Sequence, residues 1–195
     1  MSETDPQKVE ARQAAMLERI AATIDGFTRR VGQVVAWLTF ATVLICFATV
    51  YLRYVFHVGE IWLQELYAWT HVAAITMGAG YVLMRGGFVR VDLLYSRFSP
   101  RGRALVELLG TLFLMAPFLV MMATSGWSFF HASYLINEAS QWENGLRALW
   151  LLKSTLLFFV FTVGLQGIAI IARALEVLIF HQPEPKAAPA LTEAP

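Results

Sequence analysis

Four stretches of the chain, residues 31–52, 66–84, 108–137 and 154–172, contain no aspartate, glutamate, lysine or arginine. Each approaches or exceeds the ~20 helical residues that cross a ~30 Å hydrocarbon layer. Inside such a layer water cannot satisfy backbone amides and carbonyls, and a helix satisfies them within one segment. The sequence therefore predicts an all-α integral membrane protein of four transmembrane helices. Composition agrees: 57% of the 195 residues are hydrophobic and 15% are charged, with a mean hydropathy of +0.57. Soluble domains carry about a quarter charged residues, which argues against a soluble helical bundle.

The third stretch runs about 45 Å at 1.5 Å per residue, so it is expected to tilt, kink or emerge at one end. Pro117 offers a kink, because it has no amide to donate to the preceding turn. Before it, Ser99-Pro100 reads as an N-cap followed by a proline in the first helical turn. Gly86 and Gly87 read as the end of the preceding helix.

Orientation follows from the lysines and arginines flanking the spans. Lys8, Arg12, Arg19, Arg29 and Arg30 precede the first span. Arg85, Arg90, Arg97, Arg101 and Arg103 lie in the second connection, and Arg173 and Lys186 follow the fourth span. The first and third connections hold only Arg53, Arg147 and Lys153. This bias predicts that both termini and the second connection are cytoplasmic. The polar opening of the chain lacks the pattern of a secretory signal, so the first span is expected to serve as an uncleaved anchor.

Residues 1–30 read as a cytoplasmic amphipathic segment, 31–180 as the four-helix membrane domain and 181–195 as a disordered proline- and alanine-rich tail. In the first segment Met16, Ile20, Ile24, Phe27 and Val31 recur every three or four residues, as in an interfacial amphipathic helix. A second interfacial stripe is expected from Phe88, Val91, Tyr95 and Phe98, beside Arg90, Arg97 and Arg101.

No zinc, phosphate-loop, dinucleotide or hydrolase motif is present, so no enzyme activity, cofactor or metal is expected. The single cysteine, Cys46, lies in an apolar run and implies no disulfide. The net charge of +1 gives no reason to expect nucleic acid. His71 and His131 stand at similar depth, which admits one alternative: two imidazoles holding a haem in a respiratory membrane anchor. A hydrogen bond or interfacial water explains such histidines more simply, with Trp62, Trp69 and Trp127 marking the membrane boundary. Gln166 is the kind of polar residue that bonds between helices. No aspartate, glutamate, lysine or arginine lies mid-span, whereas a self-sufficient ion-coupled transporter normally needs an ionisable group or broken helices there.

From Arg53 onward the polar punctuation resembles the small, Q-type (DctQ-like) membrane subunit of tripartite ATP-independent periplasmic (TRAP) transporters. Arg53-Tyr54-Val55-Phe56 closes the first span and Trp62-Leu63-Gln64-Glu65-Leu66 opens the second. Gly80-Tyr81-Val82-Leu83 leads to Val89-Arg90-Val91-Asp92-Leu93-Leu94-Tyr95-Ser96-Arg97, the most specific piece, and then to Ser99-Pro100-Arg101. Glu138 and Ser140 precede Gly145-Leu146, Lys153 and Leu165-Gln166-Gly167, which look most like the branch associated with mannitol or chloroaromatic compounds. The chain departs from the usual pattern at Phe88, where histidine is common, and at Arg147, where proline is frequent.

The resemblance implies a bacterial inner-membrane complex. A periplasmic substrate-binding protein captures a small solute, typically an organic acid. A large many-span subunit then moves it on a sodium or proton gradient, while the small subunit braces the large one. Docking of the binding protein is expected at Arg53, His57, Glu60, Glu65, Glu138, Glu143, Arg147 and Lys153. The large subunit is expected to meet the small residues Ala74, Gly78, Gly164 and Gly167, together with Gln166, Arg90 and Asp92.

Overall fold

The computed structural model of the chain describes residues 6–87 and 98–180. The expectations for Phe88, Arg90, Asp92 and the tail lie outside the described residues. Every regular element is helical, and no strand occurs among the described residues.

Helix α1 (Pro6–Val55) is one unbroken helix of 50 residues, about 75 Å long. Its proline stands in the first turn, where the missing amide costs nothing, and no other proline interrupts it. The amphipathic segment and the first apolar stretch are therefore a single rod, with no break near residue 30. Ala14, Ala21, Thr28 and Val35 are spaced seven apart and are all buried. That is the period of a helix seam wound against a partner.

Helix α2 (Ile61–Met84) runs back along α1. Thr42 donates to Thr70 at 2.8 Å across the pair, and Gly32 and Gly78 face Tyr81 and Val35. The helix stops as Gly86 and Gly87 predict. Gly86 adopts φ +66°, its amide reaching the Leu83 carbonyl at 3.0 Å and that of Gly87 the Val82 carbonyl at 2.9 Å, which is the Schellman arrangement.

Helix α3 (Pro100–Gly110) begins with the Ser99 hydroxyl accepting from the Gly102 amide at 3.2 Å. A π-helical turn, Thr111–Met115, joins it to α4 (Ala116–Leu135). Such a turn is a common local answer to a proline that removes a helical hydrogen bond, here Pro117.

Helix α5 (Leu149–Phe180) is the hub, packing on α1, α2, α3 and α4. Small residues let its neighbours approach: a Cβ on Gly80 of α2 would lie 2.8 Å from the Thr162 Cβ and 3.0 Å from its carbonyl oxygen. Among the described residues three helical stretches are long and apolar enough to cross a membrane: Val9–Val55, Pro100–Leu135 and Leu149–Phe180. Helix α2 has the length, at 24 residues, but His71, Thr70, Thr76 and its glycines leave it less apolar. Outward faces carry large apolar side chains such as Trp37, Phe47 and Leu114, a surface suited to lipid or to a membrane partner.

Candidate functional site

The C-terminal ends of α1 and α4 and the N-terminal ends of α2 and α5 meet at one end of the array, where the polar side chains collect. The link between α4 and α5, residues 136–148, folds back on itself. Asn137 takes φ +45° and closes α4 in the Schellman manner, with the Glu138 amide on the Ser133 carbonyl at 3.0 Å. The Ser140 amide donates to the Leu146 carbonyl at 2.9 Å, and the Leu149 amide to the Glu138 carbonyl at 2.8 Å.

Glu65, near the start of α2, clasps this link. One carboxylate oxygen accepts from the Ser140 hydroxyl and the other from the Leu146 amide at 2.6 Å. Gly145 sits where any Cβ would collide with Ser140. Behind the link, the Lys153 ammonium donates to Glu138 at 2.5 Å and lies 4.0 Å from the centre of the Phe129 ring, a cation–π contact. Hydrogen bonding by Lys153 holds the Glu138 carboxyl below the ordinary glutamate range.

The eight residues expected to meet the binding protein thus divide into two groups. Glu65, Glu138 and Lys153 are spent on internal bonds that shape the link. Arg53, His57, Glu143 and Arg147 are exposed, and Glu60 is half-buried at the N-cap of α2. His57 and Asn144 adopt positive φ at the tips of their turns. Trp142, which is 68% exposed at the tip of the link, is not among the residues that the sequence singled out.

A second polar group joins α1 to α5 toward the other end. The Gln166 amide donates to the Thr28 hydroxyl at 2.9 Å and to Asp25 at 3.2 Å, and Arg173 pairs with the other Asp25 oxygen. Gln166 is 1% exposed, so its side chain is committed within the chain. Gly78, Gly164 and Gly167 likewise face Val35, Leu119 and Met115 of this chain, while Ala74 is half-buried on α2.

The arrangement does not support the haem alternative. His71 and His131 are both exposed, on helices that each pack on α5 without a substantial face against one another. The His131 ring stacks on Trp127 of its own helix, 5.9 Å between centroids. Among the described residues no group of three or more histidine, cysteine, aspartate or glutamate side chains could hold a metal ion.

Three apolar membrane-length helices among the described residues, with polar contacts in an end clasp, the Thr42–Thr70 bond and the Asp25 network, suit a membrane subunit. Residues 42–177 match the family described as tripartite ATP-independent periplasmic transporters, DctQ component. The chain belongs to this family. Comparisons with curated proteins and with solved structures gave no match. As a DctQ component it is a small permease subunit of a TRAP transporter, a bacterial inner-membrane protein and not a member of a known enzyme family. The family implies a complex with a large membrane subunit and a substrate-binding protein.

Proposed function

We propose that this DctQ component scaffolds the large subunit and helps dock the periplasmic binding protein, in ion-gradient-driven uptake of an organic acid or related small solute. The family match carries this reading. In it the chain crosses the membrane four times with both termini cytoplasmic. Helix α2 lies along both α1 and α5 and is about 36 Å long, which supports its passage through the same layer despite its polar residues. The distribution of arginines and lysines supports the orientation.

In this orientation the clasped link and the turn between α1 and α2 face the periplasm. We assign binding-protein contact to the exposed Arg53, His57, Glu143 and Arg147 and the half-buried Glu60. Glu65, Glu138 and Lys153 serve it by holding the link in shape. The large subunit meets the exposed apolar faces, with Ala74 on α2 and with Arg90 and Asp92 in the second connection. Gly78, Gly164, Gln166 and Gly167 act indirectly, by drawing the helices of this chain together. Gly145-Leu146, Lys153 and Leu165-Gln166-Gly167 support a place in the mannitol or chloroaromatic branch.

Gentle detergent extraction of the tagged chain from its native host, with mass analysis of its companions, tests the reading. A tightly held many-span protein is the expected companion. Recovery of the chain without one, or gradient-driven solute accumulation by the chain reconstituted alone, refutes it.

A further inference from the structure

The first half of α1 carries three parallel rows of side chains. Ala14, Ala21, Thr28 and Val35 form the buried seam. About 110° round the helix from it, Val9, Met16, Ile20, Phe27 and Val34 fall within about 40° of one another at 3.6 residues per turn. All five are exposed, Met16 at 64% and Val34 at 69%. Next to this apolar row, about 60° round the helix, run Arg12, Arg19 and Arg30, also exposed. Glu10, Glu18 and Asp25 lie about 100° or more from the arginines. Among the described residues no acidic side chain pairs with these three arginines.

Depth along the membrane follows from α5. Asp25 pairs with Arg173, the first charged residue after the uncharged stretch of α5. Arg19 and Arg30 lie within about 10 Å of that level along α1. At such a level a long basic side chain has its stem among acyl carbons and its head among phosphates. The apolar row ends at Val34, and the arginine row runs on into the exposed Trp37 of the membrane-length stretch, so this side of the helix passes from headgroup depth into hydrocarbon.

We propose that the face of α1 around Arg19 and Arg30 binds acidic phospholipid, the two guanidinium groups taking phosphate oxygens while Phe27 and Val34 rest against the upper acyl carbons. A guanidinium presents paired donors that match a phosphate. The segregation of acidic residues away from the row leaves a positive face complementary to an anionic leaflet. The proposal needs the chain to sit in a membrane and does not depend on its place in the transporter.

The full-length chain, purified in mild detergent, is titrated with phosphatidylglycerol, phosphatidylcholine or inorganic phosphate. Retained lipid is read by native mass spectrometry and unfolding temperature by fluorescence. Phosphatidylglycerol alone is expected to be retained and to raise the unfolding temperature. The double variant Arg19→Gln, Arg30→Gln is expected to bind it on the order of 30-fold more weakly. The corresponding double lysine variant, which keeps the charge, is expected to bind within about threefold of the unaltered chain. Equal retention of both lipids, an effect of phosphate by itself, or unaltered binding by the glutamine variant overturns the proposal. So does absence of acidic lipid from the complex purified with its large subunit, since protein then covers the face. Recovery of the large subunit is scored in the same preparations and separates failure of lipid binding from failure of the transporter assignment.

Discussion

Glu65 on α2 and Ser140 in the link before α5 are joined by a carboxylate-to-hydroxyl hydrogen bond across 75 residues of sequence. The second Glu65 oxygen takes the Leu146 amide, so a single side chain ties one helix end to both strands of a turn. We predict that Glu65→Ala frees the link, because a half-buried amide and hydroxyl lose their acceptor together, at a cost of about 1–3 kcal/mol. Hydrogen exchange of residues 140–147 is expected to rise while that of α1 does not. Unchanged protection of the link refutes the clasp.

The docking surface makes a kinetic prediction. Charges at the rim of a transient interface mainly set the rate of encounter, so reversing Glu60 and Glu143 together is expected to slow uptake at limiting binding protein by about tenfold. The yield of the membrane complex is expected to stay unchanged. Uptake kinetics identical to those of the unaltered chain move the docking surface elsewhere.

The pH dependence follows from Glu138. Lys153 lowers its pKa in the folded chain, so the stabilisation from this group is complete above the ordinary glutamate value of 4.5. It is lost as pH falls below that value through the lowered folded one. Unfolding temperature measured from pH 7 to pH 3 is expected to fall more steeply for the unaltered chain than for Glu138→Gln. Parallel profiles exclude Glu138 as a source of the acid sensitivity.

Two glycines on helix contacts are predicted to differ in tolerance. At Gly80 a new Cβ meets the backbone of Thr162 at 3.0 Å, and backbone yields only by moving α5. At Gly167 it meets the terminal methyl of Met115, which can rotate away. Gly80→Ala is expected to destabilise the chain by about 1–3 kcal/mol and Gly167→Ala by less than about 1 kcal/mol. Thermal unfolding in detergent reads the difference, and the reverse order contradicts the packing described.

Asp25 anchors the α1–α5 network through Arg173 and Gln166. A double-mutant cycle on Asp25→Asn and Arg173→Gln is expected to return a coupling of about 0.5–1.5 kcal/mol, within the range found for polar contacts between membrane helices. Additive effects of the two changes remove the pair as a structural link.

The helices were legible because their signals are local. Uncharged length marked the membrane-scale stretches, Ser99-Pro100 marked the start of α3, and Gly86-Gly87 marked the stop of α2. The unity of α1 was hidden by a change in composition near residue 30 that coincides with no helix-breaking residue. Its buried seam was hidden as well, since Ala14 and Ala21 stand out in no hydrophobic pattern. The clasp and the Asp25 network were illegible for another reason. Glu65 and Leu146, or Asp25 and Gln166, are brought together only by packing of distant helices, and no spacing along the chain relates them. Glu65 therefore read as an outward-facing charge.

The unbroken course of α1 has a mechanical consequence. A straight α-helix yields readily only at prolines, glycine–serine pairs or inserted turns, and α1 holds none of these beyond its first residue apart from the isolated Gly26 and Gly32. Arg53 at one extremity and Arg12 at the other therefore belong to one stiff lever. A push at either tip is delivered to the opposite one as a change of tilt.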